Sequence, residues 1–167
     1  EDIKEAFRVS GLIHPEIKTP QEQKMLGAFM ALISPGNTVV GNYGLSLDAW
    51  EMWNKTGKIP LENPNATEEQ TGSWGPLIKQ AYENNLRTLQ TVLDMHNGNI
   101  DAAFDWLLAE HPVSELRKIK FSRAKEGAKV FGEADEMRLG TYMFGEKVGA
   151  FLPNIFGRHS EFTIDRW

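Results

Sequence analysis

Cysteine is absent from this chain of 167 residues. That excludes disulfides and every zinc site built on thiolates, and it fits an intracellular, cytoplasmic protein. Long apolar runs are missing too. The richest stretch, Met25 to Ile33, is too short to cross a bilayer. The start, Glu1-Asp2-Ile3-Lys4, is charged with no apolar core behind it, so no signal peptide is read, and the lack of an initiator methionine suggests a processed or excised fragment. The histidines (His14, His96, His111 and His159) lie far apart and none has the HExxH spacing, so no metal is expected. No GxGxxG, P-loop or GxSxG motif occurs, so no cofactor is expected, and nothing singles out one acid pair for glycoside hydrolysis. Positive charge is in deficit. The formal net charge of −5 argues against tight non-specific nucleic-acid binding, which depends on Lys and Arg displacing counterions from phosphates.

What is present is a helical pattern. Hydrophobic residues make up 41% of the chain, enough for one compact domain over residues 1–167. Asp2 to Ser10 reads as a short helix ending at Gly11. Thr19-Pro20-Gln21-Glu22 is a helix start with an N-cap, a first-position proline and a capping box. The helix it opens carries Met25, Leu26, Phe29, Met30, Leu32 and Ile33 and stops at Ser34-Pro35-Gly36. A helix from Asn37 or Thr38 carries Leu45, Leu47, Trp50 and Trp53 and ends before Gly57. Pro60 to Gly75 is a long polar loop. Pro76 opens a helix that Gly98 ends. Asn99 caps another through Ala109, and Ser114 caps the next beyond His111-Pro112. Lys129 to Met143 reads as a further helix, and Glu146 to Phe156 as one that Pro153 kinks or ends. Strand alternation is found nowhere. The expected fold is all-α, an irregular bundle of about eight short helices.

Charge is unevenly spread. Arg117, Lys118, Lys120, Arg123, Lys125 and Lys129 form a basic run, while acids gather at Glu62, Glu68 and Glu69 and at Glu133, Asp135 and Glu136. The run is either a solvated helix face or a local basic surface, with Lys118, Arg123 and Lys125 as candidate nucleic-acid contacts. The tryptophans are core residues or, by type alone, stacking platforms.

The tail carries the chemistry-bearing pattern. Gly145-Glu146-Lys147-Val148 puts a lysine at the start of a helix behind the tight hairpin Met143-Phe144-Gly145. Thr163-Ile164-Asp165-Arg166 puts an aspartate at the start of the next helix, with His159 in the loop between. The tail from Leu139 to Trp167 resembles the helix-hairpin-helix DNA glycosylase family, in particular its 8-oxoguanine branch. That branch has a Gly-x-Lys-Val segment and then, a similar distance on, a Val-Asp segment opening a helix. Met143 stands where the family hairpin commonly has its first glycine. Met25 to Asn42, with Leu32-Ile33-Ser34-Pro35, is also similar to a glycosylase-like family of phages and mobile elements.

The resemblance implies a C-terminal helix-hairpin-helix element and DNA as the partner. Lys147 would attack the sugar C1′ and form a Schiff base, which requires desolvation or nearby positive charge. Asp165 would stabilise the developing oxocarbenium charge or help activate the nucleophile. Gly145 and neighbouring amides would hold a phosphate, and the target base would be flipped out of the duplex. Two rival functions stand beside this one. One is a helical module that binds nucleic acid without chemistry. The other is a helical protein-interaction domain, which the acidic balance and the long acidic loop favour.

Overall fold

The computed structural model describes residues 19–33, 39–61, 79–122 and 125–155. The expected helix at Asp2 to Ser10, most of the Pro60–Gly75 loop and the segment around Asp165 lie outside them.

Helix α1 (Pro20–Ile33) is the hub. Its capping box forms as the sequence predicts: the Glu22 amide donates to the Thr19 hydroxyl at 3.2 Å, and the Thr19 amide donates to the Glu22 carboxylate at 3.4 Å. Met25, Leu26, Ala28, Phe29, Ala31, Leu32 and Ile33 are all buried. A helix apolar around most of its circumference must be enclosed. It is enclosed by α2 (Val39–Thr56), α3 (Lys79–Met95), α4 (Ile100–Leu108) and α6 (Glu146–Ile155), all of which touch it.

The helix ends follow local chemistry. Gly57 takes φ +73° after α2, and its amide donates to the Trp53 carbonyl at 2.7 Å. Asn97 (φ +55°) and Gly98 (φ +79°) close α3, with the Gly98 amide on the Leu93 carbonyl at 2.9 Å. Asn99 then caps α4 by accepting from the Ala102 amide at 3.0 Å, as expected. On α3, Leu86, Leu89, Val92 and Leu93 are buried on one stripe against the hub.

The chain beyond α4 departs from the sequence reading. It contains two three-residue strands, β1 (Glu110–Pro112) and β2 (Met137–Leu139), paired antiparallel with His111 opposite Arg138. Strands this short are invisible to a search for alternation. Helix α5 (Val113–Ile119) starts one residue before Ser114, and the Ser114 amide donates to the Ala134 carbonyl at 3.0 Å instead of the side chain capping the helix. The helix expected over Lys129 to Met143 does not form. Gly132 sits at φ +118°, outside helical space, and between Lys129 and Leu139 only Val130 is a buried core side chain. The stretch leads instead into β2 and a 3-10 helix (Gly140–Phe144). Among the described residues the protein is therefore mostly helical, with six α-helices and one small sheet.

Candidate functional site

The hairpin consists of the 3-10 helix, Gly145 and α6. Gly145 takes φ +102° and ψ +162°, a conformation closed in practice to residues with a Cβ. Its amide donates to the Tyr142 carbonyl at 3.1 Å, and its carbonyl accepts from the Gly149 amide at 2.8 Å. That second bond is the first of α6, so the amides of Glu146, Lys147 and Val148 precede the helical ladder and have no partner within it. A Cβ on Gly145 would meet nothing within 4 Å, so the corner is open to an approaching group.

Small residues set the hairpin against its surroundings. A Cβ on Gly149 would lie 2.8 Å from both Cα and Cγ of Tyr142. A Cβ on Gly140 would lie 2.9 Å from the Leu107 Cα and 3.0 Å from a Trp106 ring carbon. The two glycines let the 3-10 helix approach α6 on one side and α4 on the other. Met143 and Phe144 are buried, and with Val148 and Leu152 they anchor the hairpin in the core. Met143 is thus a core side chain.

The sequence-nominated residues fall as follows. Lys147 and Gly145 are exposed, on the first turn of α6 and at its corner, with the exposed Glu146 between them. Asp165 lies outside the described residues, as do His159 and Arg123. Lys118 on α5 and Lys125 after it are exposed. Trp50 is 0% exposed and is a core residue, with no face for a base; its indole N–H has no hydrogen-bond partner among the described residues. Trp53 packs against that core with its ring 6.4 Å from that of Trp50, and Trp74 lies outside the described residues.

The basic run does not all face solvent. One Arg117 nitrogen donates to the Gly132 carbonyl at 2.6 Å and to the Val130 carbonyl at 3.2 Å. Lys120 donates to the Lys129 carbonyl at 2.7 Å, and burial pushes its ammonium below the usual lysine range. These two cations hold down the returning stretch 129–132. Exposed Lys129 faces Glu126 at 3.4 Å. The run thus divides into structural clips (Arg117, Lys120) and exposed surface charge (Lys118, Lys125).

Sequence reasoning missed the cluster around Trp106. His111 stacks on its indole at 4.1 Å and 22°, and His96 lies across it at 6.4 Å. Each imidazole reaches a backbone carbonyl at 2.8 Å, His96 that of Val92 and His111 that of Trp106. The only sequence signal was the pairing of Trp106 with a histidine five residues on.

Among the described residues there is no group of three or more side chains able to hold a metal ion, and no helix long and apolar enough to cross a membrane. Comparison of the chain with family models, with curated proteins and with solved structures finds no match in any of the three.

Proposed function

We propose that the chain is a helix-hairpin-helix domain of the DNA glycosylase type, which holds DNA through the Gly145 corner and presents Lys147 to a flipped nucleotide. One observation carries this reading. A glycine in a conformation reserved for glycine turns the chain into α6, leaving three amides ahead of the helical ladder and an exposed lysine at one open corner. Amides free at a helix start bind phosphate oxygens, and the helix dipole adds to the attraction. A lysine one residue beyond is within a side chain's reach of the same sugar-phosphate unit. The reaction is attack of the Lys147 amine on C1′ with departure of the base, and Asp165 serves the developing positive charge. The assay is release of a free base from lesion-bearing duplexes. Release by the wild type and not by Lys147→Ala supports the reading; no release from any substrate, with no retention of duplex at low salt, removes it.

A second reading, binding without chemistry, is favoured by the exposure of Lys147. Nucleophilic lysines are activated by desolvation or a neighbouring cation, and Glu146 beside it is an acid. In that case salt-dependent DNA retention survives, no base is released, and charge reversal at Lys118 and Lys125 weakens retention.

A further inference from the structure

Pro153 lies inside α6. In a regular helix the Gly149 carbonyl would accept from the amide of residue 153. Proline has no amide hydrogen, and its ring pushes the carbonyl four residues back out of the ladder. The Gly149 carbonyl is therefore denied its helical donor at a buried position, a costly arrangement unless another donor arrives. The donor is Thr141: its hydroxyl, on a residue 0% exposed, lies 2.8 Å from the Gly149 oxygen. The bond crosses the hairpin from the 3-10 helix to α6. It acts beside the close contact of Gly149 with Tyr142 and the Gly149 amide bond to the Gly145 carbonyl at 2.8 Å. Gly149 is thus fixed at its amide, its Cα and its carbonyl, each time by a residue of the 141–145 arm.

We infer that Thr141 is a positioning residue of the candidate site: by supplying the hydrogen bond that Pro153 withholds from Gly149, it locks α6 against the 3-10 helix and so aims the Glu146–Val148 amides and the Lys147 amine. The inference deepens the reading of the hairpin as the DNA-contacting element and rests on it for its functional half. Thr141 touches no substrate. It acts through Gly149 on the direction of the helix start. Proline in the middle of the helix is part of the device, because it frees the carbonyl that the hydroxyl captures. A threonine in this position meets two demands, since its methyl suits the apolar surroundings and its hydroxyl is the one donor the site needs.

The test is a compensation experiment with two readouts: the backbone amide resonances of Gly145 to Val148, and low-salt binding of a short duplex carrying an abasic site. Thr141→Val keeps the shape and removes the donor. It is expected to shift those resonances and to weaken duplex binding by up to roughly fivefold, the limit reached if the lost hydrogen bond comes wholly at the expense of the binding-competent arrangement. Thr141→Ser is expected to restore both. Pro153→Ala returns an amide hydrogen to position 153, so Thr141→Val in that background is expected to regain the wild-type resonances and affinity. A purely structural threonine would lower the melting temperature without this pattern of rescue. Unmoved resonances in Thr141→Val, or no recovery on adding Pro153→Ala, overturn the inference. If Thr141→Val alone does not fold, the double variant decides: folded with wild-type resonances supports the latch, unfolded overturns it. If the wild type binds no duplex, the functional reading falls, while the resonances still decide whether the latch exists.

Discussion

Arg117 donates to the carbonyl of Gly132 at 2.6 Å, so a residue that the sequence places in a basic patch is bonded into the fold. The same nitrogen also reaches the Val130 carbonyl at 3.2 Å. Arg117→Ala leaves two half-buried carbonyls without their donor. A charged hydrogen bond of this kind is worth about 2 kcal/mol, and a chain of this size then melts roughly 4–8 °C lower. Lys118→Ala, on the exposed neighbour, changes the melting temperature little. Thermal melts of the two variants check this, and equal effects would return Arg117 to the solvated face.

Gly140 and Gly145 fail for different reasons when given a side chain. Gly140→Ala drives a Cβ to within 2.9 Å of the Leu107 Cα and 3.0 Å of the Trp106 ring. It is expected to cost about 1–3 kcal/mol by overpacking and to alter Trp106 fluorescence. Gly145→Ala meets no atom but is strained at φ +102°. It is expected to cost about 1–3 kcal/mol with the fluorescence unchanged.

Asp101 ties the first turn of α4 to α1. Lys24 donates to one of its oxygens at 2.9 Å and Gln21 to the other at 2.8 Å. Those bonds, Lys24's first, hold the carboxyl below its usual range. Its contribution to stability is therefore complete above the unfolded aspartate pKa, about 3.9, and is lost as pH falls through the lower folded value. Asp101→Asn is expected to flatten that acid limb in urea melts taken between neutral and strongly acidic pH. An unchanged limb would remove the link.

Lys120 shifts in the same direction for a different reason and in an alkaline window. Its folded pKa is depressed by burial, so the unfolded chain binds the proton more tightly. Stability contributed by this position rises with pH between the folded value and the unfolded lysine value of about 10.4. Lys120→Met removes that alkaline rise while keeping the aliphatic stem, and melts at alkaline pH read the difference.

How far the sequence was readable follows from where each signal is local. The Thr19–Glu22 box, the Asn99 cap and the Gly98 stop are made by side chains within a few residues, and each appears at the position expected. The stretch 129–143 was misread because its shape is set from elsewhere. Arg117 and Lys120, on another element, capture its carbonyls, and the β1–β2 pairing is a contact between distant residues. The site was half legible. The Gly145–Lys147 corner announces itself as a glycine before a helix start. The Thr141–Gly149 bond does not, because it depends on noticing which carbonyl Pro153 leaves without a donor.

The most direct test of the account is borohydride trapping on a duplex that carries a damaged base or an abasic site. In the proposed reaction the Lys147 amine attacks C1′, the damaged base leaves from an intact nucleotide or water from an abasic site, the ring-opened sugar becomes an iminium, and borohydride reduces it to a stable secondary amine that joins protein to DNA. The account predicts an adduct whose tryptic map places the link at Lys147 and which Lys147→Ala abolishes. No adduct with any lesion, or a yield the same for Lys147→Ala as for the wild type, contradicts it.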